Sequence, residues 1–396
     1  MTATRIPGRR LLHSPGPTHL PDEVLDAMHR QPMDLVDPRL TACVDDCEKG
    51  LRWLAGTADA GVFLYATNGH GAWEVTIENL LPPGGLVLIP GTGHFSDQWA
   101  IQAEALGRRV VRTPWREGEP IDATAVEQVL RADALDEIVA VFAVHTDTAS
   151  GVTSDMDALR KAIDDARHPA LFVVDAVASL GAAPVAMDAQ RIDVLVGASQ
   201  KGLMLPPGIG FVLVNANAMA ISALNPAPRY YWDWTRREGI YSYQKFCGTP
   251  PLHLLFGMQA SLRLLEQEGL ENVFARHLEL AGAVHAAVQG WSEGGALSFF
   301  CKWPYARSTS VTTIAVAAEF DPDALRTLAR ERFQVAVAGG LGSLTGRAFR
   351  IGHLGDLNAA MVLGAVSGVE ASLLTLKIPV GPGARRAIEF LARADS

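Results

Sequence analysis

Asp193-Val194-Leu195-Val196-Gly197-Ala198-Ser199-Gln200-Lys201-Gly202 is the stretch on which the reading of this chain turns. An apolar run ends directly in a lysine, and Pro206-Pro207-Gly208 then stops any continuation. Lysine is seldom placed where a buried strand ends against a core; when it is, desolvation lowers its pKa and makes the amine a nucleophile. Eighteen residues earlier, Val173-Val174-Asp175-Ala176-Val177-Ala178-Ser179 puts an acid at the end of another apolar run. Asp175 reads either as a helix N-cap or as a ligand-facing acid, since open α/β sheets bind ligands beyond the carboxyl ends of their strands.

Working outward, Gly61–Ala66, Gly85–Ile89, Arg109–Thr113, Glu137–Val144, Ala170–Val174, Asp193–Ala198 and Ile209–Val214 read as buried strands. Helical patterns at Asp122–Arg131 and Asp155–Arg167, each opened by an acidic cap, lie between some of them. Strand–helix alternation of this kind predicts an α/β fold with a mostly parallel sheet covered on both faces. Residues 216–250, rich in Pro, Tyr and Trp, are expected to form a long ordered excursion. A run of helical periodicity is expected from Pro250 to about Gln289, linking two domains. Beyond Gly290, strands near Ser310–Ala317 and Phe349–Gly352 and helices near Pro322–Glu331 and Ala359–Leu376 give a smaller α+β domain. The expected organisation is an N-terminal arm (1–20), a large domain (21–270) and a small C-terminal domain (271–396).

The 396 residues are 48% hydrophobic and 19% charged, enough apolar surface for a large core. A net charge of −9 argues against a phosphate-backbone partner. Residues 1–17 are basic but lack a long apolar segment and do not read as a secretory signal. The longest apolar stretch, Ala170 to Met187, contains Asp175, Gly181 and Pro184 and reads as a strand with its turn, not a membrane span. Four cysteines, with Cys43 and Cys47 on one helix face and no second ligand pair, read as buried thiols in a cytoplasmic setting, with no metal site expected.

Neither G-x-G-x-x-G at a strand–helix turn nor a Walker A loop occurs, which removes dinucleotide binding by that fingerprint. Thr67-Asn68-Gly69-His70-Gly71 is either a plain turn or a helix start whose N–H groups suit one phosphate monoester.

VVDAVASLG followed by GASQKGLMLPPG resembles the class V, fold-type I (aspartate-aminotransferase-like) aminotransferases, in their alanine–glyoxylate and serine–glyoxylate branch. SPGPTHLP, TNGHGAWE, HTDTASGV, YYWDW, GTPPLHLLFG, GLENVFARH and FRIGHLGDLN agree in the same order along nearly the whole chain. The resemblance implies pyridoxal 5′-phosphate as cofactor, with Lys201 as the Schiff-base lysine that also shuttles the substrate proton. It implies Asp175 as the partner of the pyridine nitrogen, and Val177 and Phe95 packed on the two faces of the ring. Asn68, Gly69, His70 and Gln200 would hold the phosphate, Thr148 would sit near cofactor and substrate, and Arg350 would clamp the substrate carboxylate. Thr249 would reach the phosphate of a partner subunit, which implies a homodimer with shared sites. The implied reaction moves an amino group from a small amino acid, serine or alanine, to glyoxylate or pyruvate; aspartate as donor, or a class V lyase, are the alternatives. Ala336 to Gly352 contains no cysteine of the kind a desulfurase needs, and a binding module without catalysis would not keep both Lys201 and Asp175.

Two departures fall near the expected site. Phe246 stands where animal relatives have a tyrosine. Asp147, in HTDTASG, is one methylene shorter than the usual glutamate of HNETATG. His145 reads equally as a group tuning the ring hydroxyl or as a structural histidine. Trp232 and Trp234 read as entrance-lining or, more simply, as packing, and Arg229 as a surface charge.

Overall fold

The computed structural model describes residues 8–393; part of the N-terminal segment read above, residues 1–7, lies outside them. Its strands are β1 (Leu11–His13), β2 (Gly61–Tyr65), β3 (Leu86–Ile89), β4 (Arg109–Arg112), β5 (Ile138–Val144), β6 (Thr146–Asp147), β7 (Val152–Thr153), β8 (Leu171–Asp175), β9 (Val194–Ala198), β10 (Gly210–Val214), β11 (Leu297–Phe299), β12 (Val311–Val316), β13 (Val335–Gly339) and β14 (Ala348–Gly352). Seven form the central sheet in the order β2-β10-β9-β8-β5-β3-β4. Only β10 runs against the rest, pairing antiparallel with both neighbours. β8, β9 and β10 are buried along their whole length, as near-continuous apolar runs must be when helices cover both faces.

The helices arise where the caps say they should. Asp122 accepts hydrogen bonds from the N–H groups of Thr124 and Ala125, and Asp155 from that of Ala158, opening Ala123–Ala132 and Met156–Ala166. One apolar layer packs helices Pro38–Ala55 and Leu252–Glu268 on one face of the sheet, with Cys43 and Cys47 both buried in it. The other is built around Trp73, Trp99 and Phe142, whose rings stack in sequence with centroids 5.3 and 4.6 Å apart.

A second, five-stranded sheet has the order β1-β13-β14-β12-β11, backed by helices Leu270–Trp291 and Ala359–Thr375. β1, from the residues read as an arm, pairs in parallel with β13 of this sheet.

Three expectations need correction. Residues 216–250 are not all excursion: Ala216–Leu224 is a helix capped by Asn215, which accepts from the N–H of Ala218. The long helical run is two helices, Leu252–Glu268 and Leu270–Trp291, because Gly269 at φ +80° ends the first. Arg229 is no surface charge: its guanidinium donates to Asn79 Oδ1 (3.1 Å), to the carbonyl of Ser222 (3.0 Å) and to that of Asn225 (3.1 Å). Trp234 is fully buried and stacked on Phe63, so it packs and does not line an entrance. Among the described residues no helix is long and apolar enough to cross a membrane.

Candidate active site

The parallel strands of the large sheet end at one edge, and the loops leaving β2, β3, β8 and β9 converge there with Gly16 and Pro17 on a cavity of about 260 Å³. Asn68, Gly69, His70, Phe95, Thr148, Asp175, Val177, Gln200 and Lys201 all line it. These residues span 133 positions of sequence between Asn68 and Lys201; strand order alone brings them together.

Asp175 ends β8 at 5% exposure. Its Oδ1 accepts from the N–H of Val177 (2.7 Å) and its Oδ2 from the indole N–H of Trp73 (3.0 Å). No helix follows directly, so the acid is no helix cap. Burial pushes its pKa up to about 6, against the pull of those two donors and of Lys201. Trp73 is the residue that motif reading missed. It lies one helical turn beyond Gly69 in Gly69–Leu80 and therefore on the face that carries the turn.

Lys201 follows β9 by three residues and is half-buried against the cavity. Its Nζ donates to the carbonyl of Pro15. Desolvation lowers its pKa to about 8, with the nearby Arg350 charge pushing the same way and Asp175 and Asp147 opposing. A minority of the amine, far more than for an exposed lysine, is then neutral near physiological pH, the form a nucleophile needs. Gly16, at φ +113°, leaves the space that Lys201 fills: a Cβ there would stand 2.6 to 2.8 Å from Lys201 Cδ, Cε and Nζ. Gly16→Ala is therefore expected to displace the amine from Pro15 and raise its pKa toward the exposed value. Competitive acylation of Lys201 between pH 7 and 10 measures this. An unchanged titration in a normally folded variant would mean that the loop yields instead.

At the start of Gly69–Leu80, Asn68 Oδ1 accepts from the N–H groups of His70 (3.1 Å) and Gly71 (3.3 Å) and caps the helix. Gln200 Oε1 is buried without a hydrogen-bond partner. Arg350, on β14, is 7% exposed; its Nε donates to the carbonyl of Gly339 (2.6 Å) and its Nη1 to that of Thr148 (2.9 Å). Burial lowers its pKa to about 10, so it remains a cation at neutral pH. It lies outside the residues that line the cavity itself, as does Thr249, which is exposed. His145 bonds Ser179 Oγ through Nδ1 (2.8 Å), and burial lowers its pKa to about 4, which keeps it neutral.

A pyridoxal phosphate molecule fits this donor set. The cavity sets a nucleophilic amine, a buried acid wanting a cationic partner and a helix N-terminus around one aromatic-walled space.

The aminotransferase class-V family model matches residues 10–349. A serine–glyoxylate aminotransferase of Methylorubrum extorquens is 40% identical over 97% of this chain and 96% of its own. An L-aspartate–glyoxylate aminotransferase of Paracoccus denitrificans is 38% identical over 93% and 92%. The crystal structure of a ureidoglycine–glyoxylate aminotransferase from Bacillus subtilis superposes with a TM-score of 0.90 at 25% identity, covering 99% of this chain and all of that one. A pyridoxamine–pyruvate aminotransferase of Mesorhizobium loti shares the fold, with a TM-score of 0.88. With its fold-type I architecture and a cavity built for pyridoxal phosphate, the chain belongs to the class-V aminotransferases.

Proposed function

We propose that this aminotransferase moves an amino group from a small amino acid, serine or alanine, to glyoxylate or pyruvate in two half-reactions at the cavity that holds Lys201 and Asp175. The observation that carries this reading is the meeting of those two side chains in one buried space, the amine with its pKa lowered and the acid with its pKa raised. Bound pyridoxal phosphate supplies an electron sink for the carbanion formed at the substrate Cα. Lys201 would hold the cofactor through its amine, and its Nζ, when free, would take the proton from the donor Cα and later give a proton to the acceptor carbon. Asp175, fixed by Trp73 and the Val177 N–H, keeps a proton on the pyridine nitrogen. Val177 and Phe95 confine the ring, and Asn68, Gly69, His70 and Gln200 bind the phosphate. Thr148 borders the substrate, and Arg350, with two donors anchored on carbonyls, presents the remaining edge of its guanidinium to the substrate carboxylate.

Thr249, exposed and away from its own cavity, serves a partner's cofactor in a homodimer. On this reading the arm comprises residues 1–20, the large domain 21–270 and the small domain 271–396, and the enzyme works in the cytoplasm.

The relative named as using L-aspartate favours a second reading with a dicarboxylate donor. A second carboxylate needs a second cation, since desolvating it unpaired is costly. Arg229 is committed to Asn79 and backbone carbonyls, and Arg347 to Glu117 through two bonds of 2.9 and 3.2 Å. Steady-state assays with serine, alanine, aspartate and glutamate against glyoxylate and pyruvate test the choice. Serine or alanine is expected to give the highest kcat/KM; an aspartate value well above both would overturn the assignment.

A further inference from the structure

Asp147 is a buried carboxylate close behind the cavity that the proposed chemistry does not use. It is fully buried at the end of β6. Its Oδ1 accepts from the N–H groups of Ala149 and Ser150, both at 2.9 Å, which closes its own turn. Its Oδ2 reaches across to a different element and accepts from the N–H of Phe95 at 2.7 Å. Phe95 is the second residue of the helix His94–Ala105.

The N-cap of that helix is Gly93, which has no side chain to offer the first-turn N–H groups. Asp147 supplies the missing acceptor from another strand at the positive end of the helix; burial raises its pKa, and the N–H groups of Phe95, Ser150 and Ala149 pull against that rise. The fit excludes the ordinary solution. Gly93 has φ +150°, and a Cβ there would stand 2.7 Å from both Cγ and Oδ2 of Asp147. A serine or aspartate at residue 93 would collide with the carboxylate that replaces it. The helix start, and the Phe95 ring that walls the cavity 6.2 Å from the ring of Trp73, are therefore set by a residue 52 positions away.

We propose that Asp147 is a positioning residue that acts through Phe95, capping the helix His94–Ala105 in trans and so fixing the aromatic wall against which the cofactor ring packs. The proposal rests on the reading of Phe95 as that wall. It also gives the shortened side chain a physical reason: the carboxylate occupies the space that a side chain on Gly93 would need, so the cap fits only at this reach.

A double-mutant cycle tests it. Pyridoxal phosphate is titrated into cofactor-free wild type, Asp147→Asn, Phe95→Leu and the double variant, reading Kd and the visible circular dichroism of the bound ring. Asparagine can accept through only one oxygen, so at least one of the three N–H groups is left unmet. A loss of affinity of ~10-fold is expected for each single variant, the scale of a hydrogen bond to a charged group. The double variant should be no weaker than the weaker single one, because the two act on one contact. Multiplied losses, or an Asp147→Asn variant with unchanged Kd and dichroism, would overturn the proposal. Wild-type affinity in Phe95→Leu would instead remove the reading of Phe95 beneath it. Asp147→Glu keeps the charge and gives a second cycle should Asp147→Asn fail to fold. A smaller loss of dichroism, again non-multiplicative with Phe95→Leu, is expected there, and multiplied losses in that cycle count equally against the proposal.

Discussion

Lys201→Ala is expected to lower kcat by at least ~10³-fold, on the scale of removing a nucleophile or base that works as part of one unit, while the chain stays folded. Among the described residues no other lysine lines the cavity. Lys161, Lys245 and Lys302 are each paired with carboxylates outside the cavity. The loss should be in chemistry more than in cofactor capture, because the remaining lining residues are untouched. Borohydride reduction of the wild-type holoenzyme followed by mass spectrometry should find the cofactor fixed on Lys201. An adduct on a different lysine, or turnover of the alanine variant within tenfold of wild type, would sink the proposed mechanism. Removing the side chain also deletes the contact with Pro15, so the melting temperature of the cofactor-free variant is the control for folding.

Asp175→Asn is expected to cost at least ~10²-fold in kcat, the range seen when one preorganised polar partner is removed from a catalytic site. The reason lies in the sign of the perturbation. Burial raises the Asp175 pKa to about 6, so above that pH the folded, cofactor-free chain carries a disfavoured buried charge, and that cost fades as pH falls through 6. A protonated pyridine nitrogen is the counter-charge that would relieve it. Asparagine removes the charge, yet one of the two donors, Trp73 Nε1 or the Val177 N–H, then meets an amide N–H instead of an acceptor. These effects oppose each other in the cofactor-free protein, so its melting temperature at pH 8 should move little while turnover collapses. If the variant kept near-normal turnover, Asp175 would be a structural acceptor and not the partner of the ring nitrogen.

Much of this was legible along the chain. Apolar runs of four to seven residues between amphipathic ones can be buried only as a covered, mostly parallel sheet, and each expected strand of the large sheet forms within a residue or two of its expected ends. Lys201 and Asp175 stand out for the same reason: ionisable groups at the ends of apolar strands carry a desolvation cost that invites a function. Shorter elements were hidden. β1 and β11, three residues each, have too few positions to show a period, and β1 is a strand only because β13 lies beside it. The helix Ala216–Leu224 was masked by the proline and aromatic residues that follow it.

By itself, then, the sequence determined the α/β order through local pattern and the cofactor class through the family its ordered motifs resemble, and it singled out an amine and an acid through what burial does to charge. The tertiary structure alone decided who supports them. Trp73 on Asp175, Pro15 on Lys201, Thr148 and Gly339 on Arg350, and Asp147 on Phe95 are partners separated by 11 to 202 positions. Such pairings leave no periodicity, because a hydrogen bond is satisfied by any donor the fold delivers within about 3 Å, and which donor arrives is fixed by strand order and packing, not by neighbours in the chain.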